Sequence, residues 1–336
     1  MNEITTPIQT RRQDGGFPGH GNGQDGRSPG RFGFVALLAA ICAATALTPA
    51  FAATPITNTI DGVEWRFMLD TPSGTNGTAM LGINPATSGN TDRQTDSMHA
   101  CPSAASVNAA NIPWEFDYDG VHYTITRVCI GAFFNMTSLT GILTIPPAVT
   151  QVRNHAFQGC SGLTGFRGGD SVTTWGTSAF NGCNNMVGVY PDFLIASGAI
   201  GETAFGSAPL TGTLKLGSQV TTLARYAFRN CFFSGTAVIP ANVNQIGTDT
   251  VYGAFDTNPN LKAFWIKGKP TAASQTYTTV YCARLAAANT SLKMMLIGQN
   301  TKCGRYGSGN NAMLTGDTGV QVFVPANGYW YNLDGN

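Results

Sequence analysis

The chain has 336 residues, of which 43% are hydrophobic and only 11% are charged. The hydrophobic fraction is enough to build a core and excludes wholesale disorder. The low charge, with Thr, Asn, Ser and Gly supplying the polar surface, is typical of an extracellular β-rich protein and argues against a cytosolic enzyme.

Residues 1–52 have the features of a signal peptide with a long leader. Residues 34–47 form an apolar run of 14 residues that follows Arg27 and Arg31 and is too short to cross a bilayer. The run leads to Ala50-Phe51-Ala52, the small-x-small pattern that signal peptidase recognises. We therefore predict cleavage after Ala52, export of the remainder and no membrane insertion of the mature chain.

The charge of the mature chain bears on its partners. Of the 19 basic and 18 acidic residues, four and three lie within residues 1–52, so the mature chain has 15 of each. Zero net charge argues against nucleic acid or anionic lipid as the partner.

Residues 53–118 are expected to form a β-rich cap. The runs Phe116–Tyr118 and Val121–Ile125 flank Asp119-Gly120, a dipeptide that favours a tight hairpin turn. Asp61-Gly62 precedes a similar strand-like run. Residues 71–97, rich in Thr, Ser, Asn and Gly, are predicted to be a loose loop. A cap of this kind covers the end of a stacked structure.

An internal repeat dominates residues 119–267. The dipeptide Ala-Phe recurs at intervals of 24, 23, 25, 23 and 27 residues. Its six copies are Ala132-Phe133, Ala156-Phe157, Ala179-Phe180, Ala204-Phe205, Ala227-Phe228 and Ala254-Phe255. A unit of about 24 residues is too small to bury both faces of its strands, so each unit must stack on the next. The Phe side chains are then expected to form one continuous interior column.

One segment, VTQVRNHAFQGCSGLTGF at residues 149–166, carries the whole pattern, with Cys three residues after Phe and Leu six residues after it. It resembles the BspA-type leucine-rich repeats of bacterial surface proteins, and the resemblance covers residues 119–267. The resemblance implies a β-rich leucine-rich-repeat solenoid, with parallel strands on one face and short strands or helical turns on the other. It also implies a bacterial protein that is secreted or held at the cell surface, in a family with several members linked to adhesion. The coil around Ala204 departs from the pattern and is predicted to be irregular.

The repeat period stretches beyond residue 267. Residues 268–336 are therefore predicted to form irregular repeats or a carboxyl-terminal cap. Strand-like runs occur near 263–267, 294–297 and 321–324, and a helix is predicted around 280–289.

Seven cysteines remain after cleavage, at positions 101, 129, 160, 183, 231, 282 and 303. An odd number leaves at least one thiol unpaired in an exported protein. Cys160 and Cys183 hold equivalent positions in adjacent coils, so we expect a stacked interior column of reduced thiols that act as small hydrophobic groups. Cys282 and Cys303 lie in the irregular region, where a disulfide between them is an open alternative.

No catalytic, cofactor-binding or metal-binding constellation is predicted from the sequence. His99, His122 and His155 lack metal-ligand spacing, and the chain has no Cys-x-x-Cys or phosphate-binding loop. His155 precedes an Ala-Phe pair and is expected to be a solvent-facing or turn residue. Ser171 lies in Gly169-Asp170-Ser171, which resembles a hydrolase nucleophile motif, but its place before a Val-Thr strand favours a structural role.

An uncharged surface is the leading candidate for binding. Each Val-Thr strand places two polar residues between two apolar ones, and stacking aligns them. We call this set the polar ladder: Thr150, Gln151, Thr173, Thr174, Thr221, Thr222, Asn244 and Gln245. It is interpreted as a recognition surface for an extended polypeptide or glycan, against the simpler explanation of strand propensity. The aromatic run Tyr329-Trp330-Tyr331 is a second candidate, against the simpler explanation of cap packing.

These features favour a non-enzymatic protein that mediates adhesion, with an extracellular protein or glycan as its partner and no cofactor. Two other hypotheses stay open. The chain is alternatively an accessory scaffold or fragment of a larger surface enzyme that acts on polysaccharide, or a structural component of the cell envelope.

Overall fold

The computed structural model describes the chain in separate stretches. They are residues 54–83, 99–102, 105–187, 192–247, 253–268, 278–282, 286–298, 301–304, 314–315, 320–326 and 329–332. Only the backbone is described for residues 192–194, 278–282, 286–287, 301–304, 314–315, 324–326 and 329–332. All of these stretches belong to one compact unit, Pro49–Asn336. The predicted leader and its cleavage site lie outside the described residues.

The amino-terminal cap contains two tight hairpins. Its strands are β1 (Thr54–Ile60), β2 (Val63–Leu69), β3 (Asn76–Leu81), β4 (Val107–Asn108), β5 (Glu115–Tyr118) and β6 (Val121–Val128). Strand β1 pairs antiparallel with β2, and β5 pairs antiparallel with β6. Both Asp-Gly pairs have positive φ at each residue, 51° and 77° at Asp61-Gly62 and 49° and 74° at Asp119-Gly120. Positive φ at both central residues is the requirement of a type I′ turn, and both predicted hairpins are confirmed.

The loose loop predicted over residues 71–97 is wrong in part, because Asn76–Leu81 forms β3. This strand pairs antiparallel with β2 and parallel with β6, so it links the hairpin to the first coil. Gly77 reads as a loop signal in the sequence, but its missing side chain leaves room for Tyr123. A Cβ at Gly77 would lie 2.5 Å from Cε1 of that ring.

The described residues of the repeat region form nine strands. They are β7 (Leu139–Ile145), β8 (Gln151–Val152), β9 (Leu163–Gly168), β10 (Thr174–Trp175), β11 (Asp192–Ile200), β12 (Thr213–Leu223), β13 (Gly235–Ile239), β14 (Gln245–Ile246) and β15 (Leu261–Ile266). The seven that follow are β16 (Thr278–Cys282), β17 (Ala286–Ala287), β18 (Met294–Ile297), β19 (Thr301–Gly304), β20 (Leu314–Thr315), β21 (Gln321–Ala326) and β22 (Tyr329–Asn332).

The carboxyl-terminal predictions have mixed outcomes. The strand-like runs near 263–267, 294–297 and 321–324 are confirmed as β15, β18 and β21. The helix predicted around 280–289 is wrong, because this stretch contains the end of β16 and all of β17. Strand β16 lies between β14 and β19 in a parallel sheet, and its β-branched Thr278, Thr279 and Val280 favour that extended backbone.

Parallel pairing stacks the coils into a solenoid. The first sheet has the strand order β1-β2-β3-β6-β8-β10-β11-β12-β14-β16-β19, with β5 attached to β6. A second side is formed by the sheet β4-β7-β9 and by the carboxyl-terminal sheet β13-β15-β18-β21-β22. The predicted β-rich leucine-rich-repeat solenoid, with a hairpin cap and an irregular carboxyl-terminal region, is confirmed.

The core of the solenoid is a column of phenylalanines. The six Ala-Phe phenylalanines are all 0% exposed, as the repeat predicts. Consecutive ring centroids lie 5.0, 5.0, 5.4, 5.7 and 5.3 Å apart, with planes 5–19° from parallel. These spacings are near the ~4.8 Å between neighbouring strands, so the rings follow the stacking of the backbone. Trp65 of the cap meets the first ring, Phe133, edge-on at 6.4 Å.

The corner that carries each Ala-Phe pair is a stack of hydrogen-bonded turns. The Phe amide donates to the Ala carbonyl of the following coil, at 2.7 to 2.9 Å from Phe133 through Phe228. The residue before Ala is left-handed at His155, Ser178, Thr203 and Tyr226, with φ of 50–59°. A left-handed backbone costs about 1 kcal/mol in a residue with a side chain, and the inter-coil bonds offset it. The turn position predicted for His155 is confirmed.

Candidate binding surface

The structure brings the polar-ladder residues together on the first sheet, on or beside its short strands. Gln151 lies in register with Thr174, and Thr222 with Gln245. Five ladder residues are exposed and three are half-buried. The exposed ones are Thr150, Thr173, Thr174, Thr221 and Asn244, and the half-buried ones are Gln151, Thr222 and Gln245. The apolar residues on both sides of each pair are buried, as the sequence predicts.

Two ladder hydroxyls also join adjacent coils. Oγ1 of Thr150 donates to the Thr126 carbonyl at 3.3 Å, and Oγ1 of Thr173 donates to the Thr150 carbonyl at 3.3 Å. Each hydroxyl oxygen keeps lone pairs that accept hydrogen bonds from a ligand. The carboxamides of Gln151 and Gln245 supply both donors and acceptors. The surface is therefore suited to peptide groups and sugar hydroxyls.

The irregular coil predicted from the sequence is confirmed, and it divides the polar ladder. Strand β11 pairs with β12 through two register shifts, which place Ala199 in register between Thr174 and Thr222. Gly198 precedes it with a φ of 95°, and a Cβ there would lie 2.2 Å from the Thr173 carbonyl oxygen. Because neither position offers a polar side chain, the ladder consists of two segments of two coils each.

The second candidate site lies in the last strand. Tyr329, Trp330 and Tyr331 belong to β22, which pairs antiparallel with β21. Their side chains lie outside the described residues. The same is true of the disulfide considered between Cys282 and Cys303, although the backbone register places Cys303 opposite Val280.

Cys160 and Cys183 are interior thiols on adjacent coils, as predicted. Cys101, Cys129, Cys160, Cys183 and Cys231 are reduced and buried. The three thiols that lie three residues after an Ala-Phe phenylalanine each donate to a Phe carbonyl of the preceding coil. The distances are 2.9 Å from Cys160 to Phe133, 3.1 Å from Cys183 to Phe157 and 3.4 Å from Cys231 to Phe205. The thiols therefore act as small apolar groups with a structural hydrogen bond.

Burial also controls the acidity of these thiols. It raises the pKa of Cys129 and of Cys183 from 9.0 to about 12. Burial likewise raises the pKa of Cys160 and of Cys231 well above 9.0. Because the thiolate is the reactive form, burial disfavours nucleophilic attack and metal binding by these side chains at neutral pH.

The histidines and Ser171 are dispersed through the fold. Nδ1 of His122 lies 2.8 Å from Oδ1 of Asp117 on an exposed hairpin. His155 lies in a corner turn, His99 is buried, and Ser171 is half-buried in the turn before β10. Within the described ranges, no group of three or more His, Cys, Asp or Glu is placed to hold a metal ion.

In the part of the chain that the structure describes, no helix has the length and apolar character needed to cross a bilayer.

Asn258 is a structural residue that the sequence analysis missed. It lies three residues after Phe255, in the position that Cys occupies in other coils, and is fully buried. Its Nδ2 donates to the Phe228 carbonyl at 2.7 Å and to the Phe255 carbonyl at 3.1 Å. The amide thus makes the same bond to the preceding coil as the Cys231 thiol does. The fixed offset of three from Phe was the signal that would have identified it.

A second exposed surface was also missed. The lysine–tryptophan face lies on the carboxyl-terminal sheet and comprises Lys262, Trp265, Lys267, Lys293, Met294 and Leu296. Trp265 is 39% exposed and lies in register between Val238 and Leu296. Nζ of Lys267 lies 5.7 Å from the centroid of the indole ring.

Stacked parallel coils with an interior Phe column define the protein as a leucine-rich-repeat solenoid. The sequence matches the BspA-type leucine-rich repeat region in six copies, over residues 121–193 and 194–301, which is more than half of the chain. The chain belongs to the family of BspA-type leucine-rich repeat proteins.

Three solved structures match this chain at low sequence identity. A leucine-rich repeat protein from Bacteroides ovatus is 17% identical, with a TM-score of 0.38 over 77% of this chain and 69% of that one. A leucine-rich cell surface protein from Faecalibacterium prausnitzii is 14% identical, with a TM-score of 0.38 over 80% and 76%. The pneumococcal vaccine antigen PcpA is 12% identical, with a TM-score of 0.33 over 81% and 94%. No curated protein matches the sequence.

Proposed function

We propose that the chain is an exported, non-enzymatic binding protein, secreted or held at a bacterial surface, that uses the polar ladder to contact an extracellular protein or glycan. The observation that carries the proposal is the alignment of uncharged polar side chains, coil by coil, on the outside of the first sheet. The predicted signal peptide, the low charge and the membership of the BspA-type family support export and binding.

The geometry favours an extended partner. Within each segment of the ladder, adjacent coils repeat the same outer positions, so one extended chain contacts both coils of a segment and sums weak hydrogen bonds. The ladder has no charged member, so the interaction depends on shape and hydrogen bonding. Salt screens charges but leaves such contacts almost unchanged. Affinity is therefore expected to change by less than about twofold between ~0.05 M and ~0.5 M salt.

The test is a screen of the purified protein against extracellular matrix proteins and neutral glycans. For any partner found, replacement of Thr150, Thr173 and Thr221 by Lys should lower the affinity about tenfold or more. The substitution removes three hydroxyl groups and introduces one charge on each of three coils; Thr150 and Thr173 are on adjacent coils, and Thr221 is separated from Thr173 by the coil that contains Ala199.

The matched control replaces three other exposed threonines, Thr140, Thr144 and Thr164, by Lys. These lie on β7 and β9 of the second side, so the control adds the same charge to a different surface. It should bind within about twofold of the parent. Circular dichroism is the measurement that checks whether both variants fold. A folded ladder variant that binds as well as the parent would exclude the polar ladder, and absence of any partner in the screen would count against the proposed function.

A further inference from the structure

The zero net charge of the mature chain conceals a separation of charge along the solenoid. Residues 53–202 contain five basic and 11 acidic residues, whereas residues 203–316 contain ten basic and two acidic residues. All six lysines of the chain lie between residues 215 and 302. Among the described residues after Glu202, the one acidic side chain is Asp256, and it is buried. The carboxyl-terminal half therefore presents positive charge without exposed carboxylates in its described part.

The lysine–tryptophan face concentrates this charge beside exposed apolar groups. Lys262 and Lys293 are exposed on consecutive coils, and the Lys293 amide donates to the Lys262 carbonyl at 2.9 Å. Earlier coils have Thr140 and Thr164 at the corresponding place, immediately after the buried Leu. Equivalent positions in different coils can therefore be compared: the position is occupied by an uncharged Thr in the earlier coils and by Lys in the basic part of the chain.

The same comparison applies to Trp265. It follows Phe264 on the outer side of β15, where Thr144 follows Leu143 on β7 and Arg167 follows Phe166 on β9. Met294, 36% exposed, and the half-buried Leu296 extend the apolar surface on the next coil. An exposed indole beside the Lys267 ammonium group is an unusual choice for a face that only needs to be solvated.

Two lysines on adjacent strands repel each other, because cross-strand neighbours lie only about 5 Å apart. The repulsion is relieved when an anion binds between them. We propose that the lysine–tryptophan face is a second binding site, which takes a carboxylated polysaccharide. The proposal rests on the proposed function only in requiring that the chain is exported and binds.

The chemistry of a uronic acid ring fits this face. The ring presents an apolar C–H surface that stacks on an indole, and it carries its carboxylate at the ring edge. A ring stacked on Trp265 places that carboxylate beside Lys262, Lys267 or Lys293. A repeating polymer then meets a repeating surface, so successive acidic groups contact successive coils.

The probe is polygalacturonate, with its methyl ester as the uncharged control polymer. The purified protein should bind polygalacturonate, bind the methyl ester at least about tenfold more weakly, and lose affinity as salt is raised. Replacement of Lys262, Lys267 and Lys293 by Gln should lower the affinity for polygalacturonate about tenfold and flatten the salt dependence. Trp265→Ala should lower the affinity about fivefold while it leaves the salt dependence in place.

The matched single variants are Lys293→Gln and Arg229→Gln, each of which removes one exposed cation from the basic half. Arg229 lies in a corner turn, so only Lys293→Gln should weaken binding. The proposal is overturned if the folded triple variant binds like the parent, if both single variants lose affinity equally, or if double-stranded DNA binds as tightly as polygalacturonate. It is also overturned if sedimentation shows that the face binds a second copy of the chain instead. A ladder partner without polygalacturonate binding would remove this inference and leave the proposed function intact.

Discussion

Replacing Phe180 by Ala should lower the free energy of unfolding by about 3–5 kcal/mol, the range for truncation of a packed core Phe. The Phe180 ring is 0% exposed and stacks between Phe157 at 5.0 Å and Phe205 at 5.4 Å. Its removal leaves a cavity that weakens the coil itself and its interfaces with both neighbours, which together determine solenoid stability. Urea denaturation followed by circular dichroism measures the change.

Phe232→Ala is the matched control. Phe232 is 41% exposed, so the same truncation there removes little packing and should cost less than about 1 kcal/mol. The two variants share their chemistry and differ only in burial. Equal losses at both positions, or a loss below about 1 kcal/mol at Phe180, would show that the repeat register is wrong.

The interior cysteines should be alkylated about three orders of magnitude more slowly in the folded protein than in the unfolded chain. At pH 8, a thiol with a pKa of 9.0 is about one-tenth thiolate, whereas Cys129 and Cys183, with pKa values of about 12, have about one part in ten thousand. Iodoacetamide labelling with mass spectrometry, in buffer and in concentrated urea, measures each site. Rapid labelling of Cys183 in the folded protein would contradict the interior column.

The same shift determines how stability depends on pH. The folded pKa of Cys183 lies above its unfolded value, so its protonated form is the one that the fold favours. This contribution is fully present below pH 9 and decreases as the pH rises from 9 toward 12, because only the unfolded chain releases the proton. The free energy of unfolding should therefore decrease over that window. Cys183→Ala, which removes the thiol, should make the free energy of unfolding depend less steeply on pH between 9 and 12.

The sequence predicts the core of the solenoid well because each coil makes the same demands on the same position. Each coil has one interior position that Phe fills. The position three residues later needs a small side chain, such as that of Cys160, which donates to the Phe carbonyl of the preceding coil. Hairpin turns are equally predictable, since only a few dipeptides such as Asp119-Gly120 adopt two positive φ values. These features depend on local chemistry or on strict repetition.

The errors arise where pairing partners outside the segment determine its structure. Strand β3 contains Gly77 and lies among turn-forming residues, yet two neighbouring strands hold it extended. A helix was predicted over the end of β16 and all of β17, although the strands on both sides of β16 extend the first sheet through it. Asn258 was overlooked because an amide and a thiol are unlike in hydropathy but make the same hydrogen bond.

The candidate surfaces were likewise predictable from the sequence only in part. The alignment of the polar ladder could be predicted, since register follows from the repeat, but its division at Ala199 depends on two register shifts in β11. The lysine–tryptophan face could not be recognised from net charge, because the acidic amino-terminal half cancels it in the sum. Only the placement of Lys262 and Lys293 on consecutive coils shows that their charges share one surface.

Amide hydrogen exchange tests most directly whether the Ala-Phe units stack coil on coil. The amides of Phe133, Phe157, Phe180, Phe205 and Phe228 lie in turns, where exchange is ordinarily fast, yet each donates to the Ala carbonyl of the following coil. They should therefore exchange only through global unfolding, and far more slowly than the hairpin-tip amides of Gly62 and Gly120. Exchange of the five Phe amides at the rate of the hairpin tips would contradict the stacked solenoid.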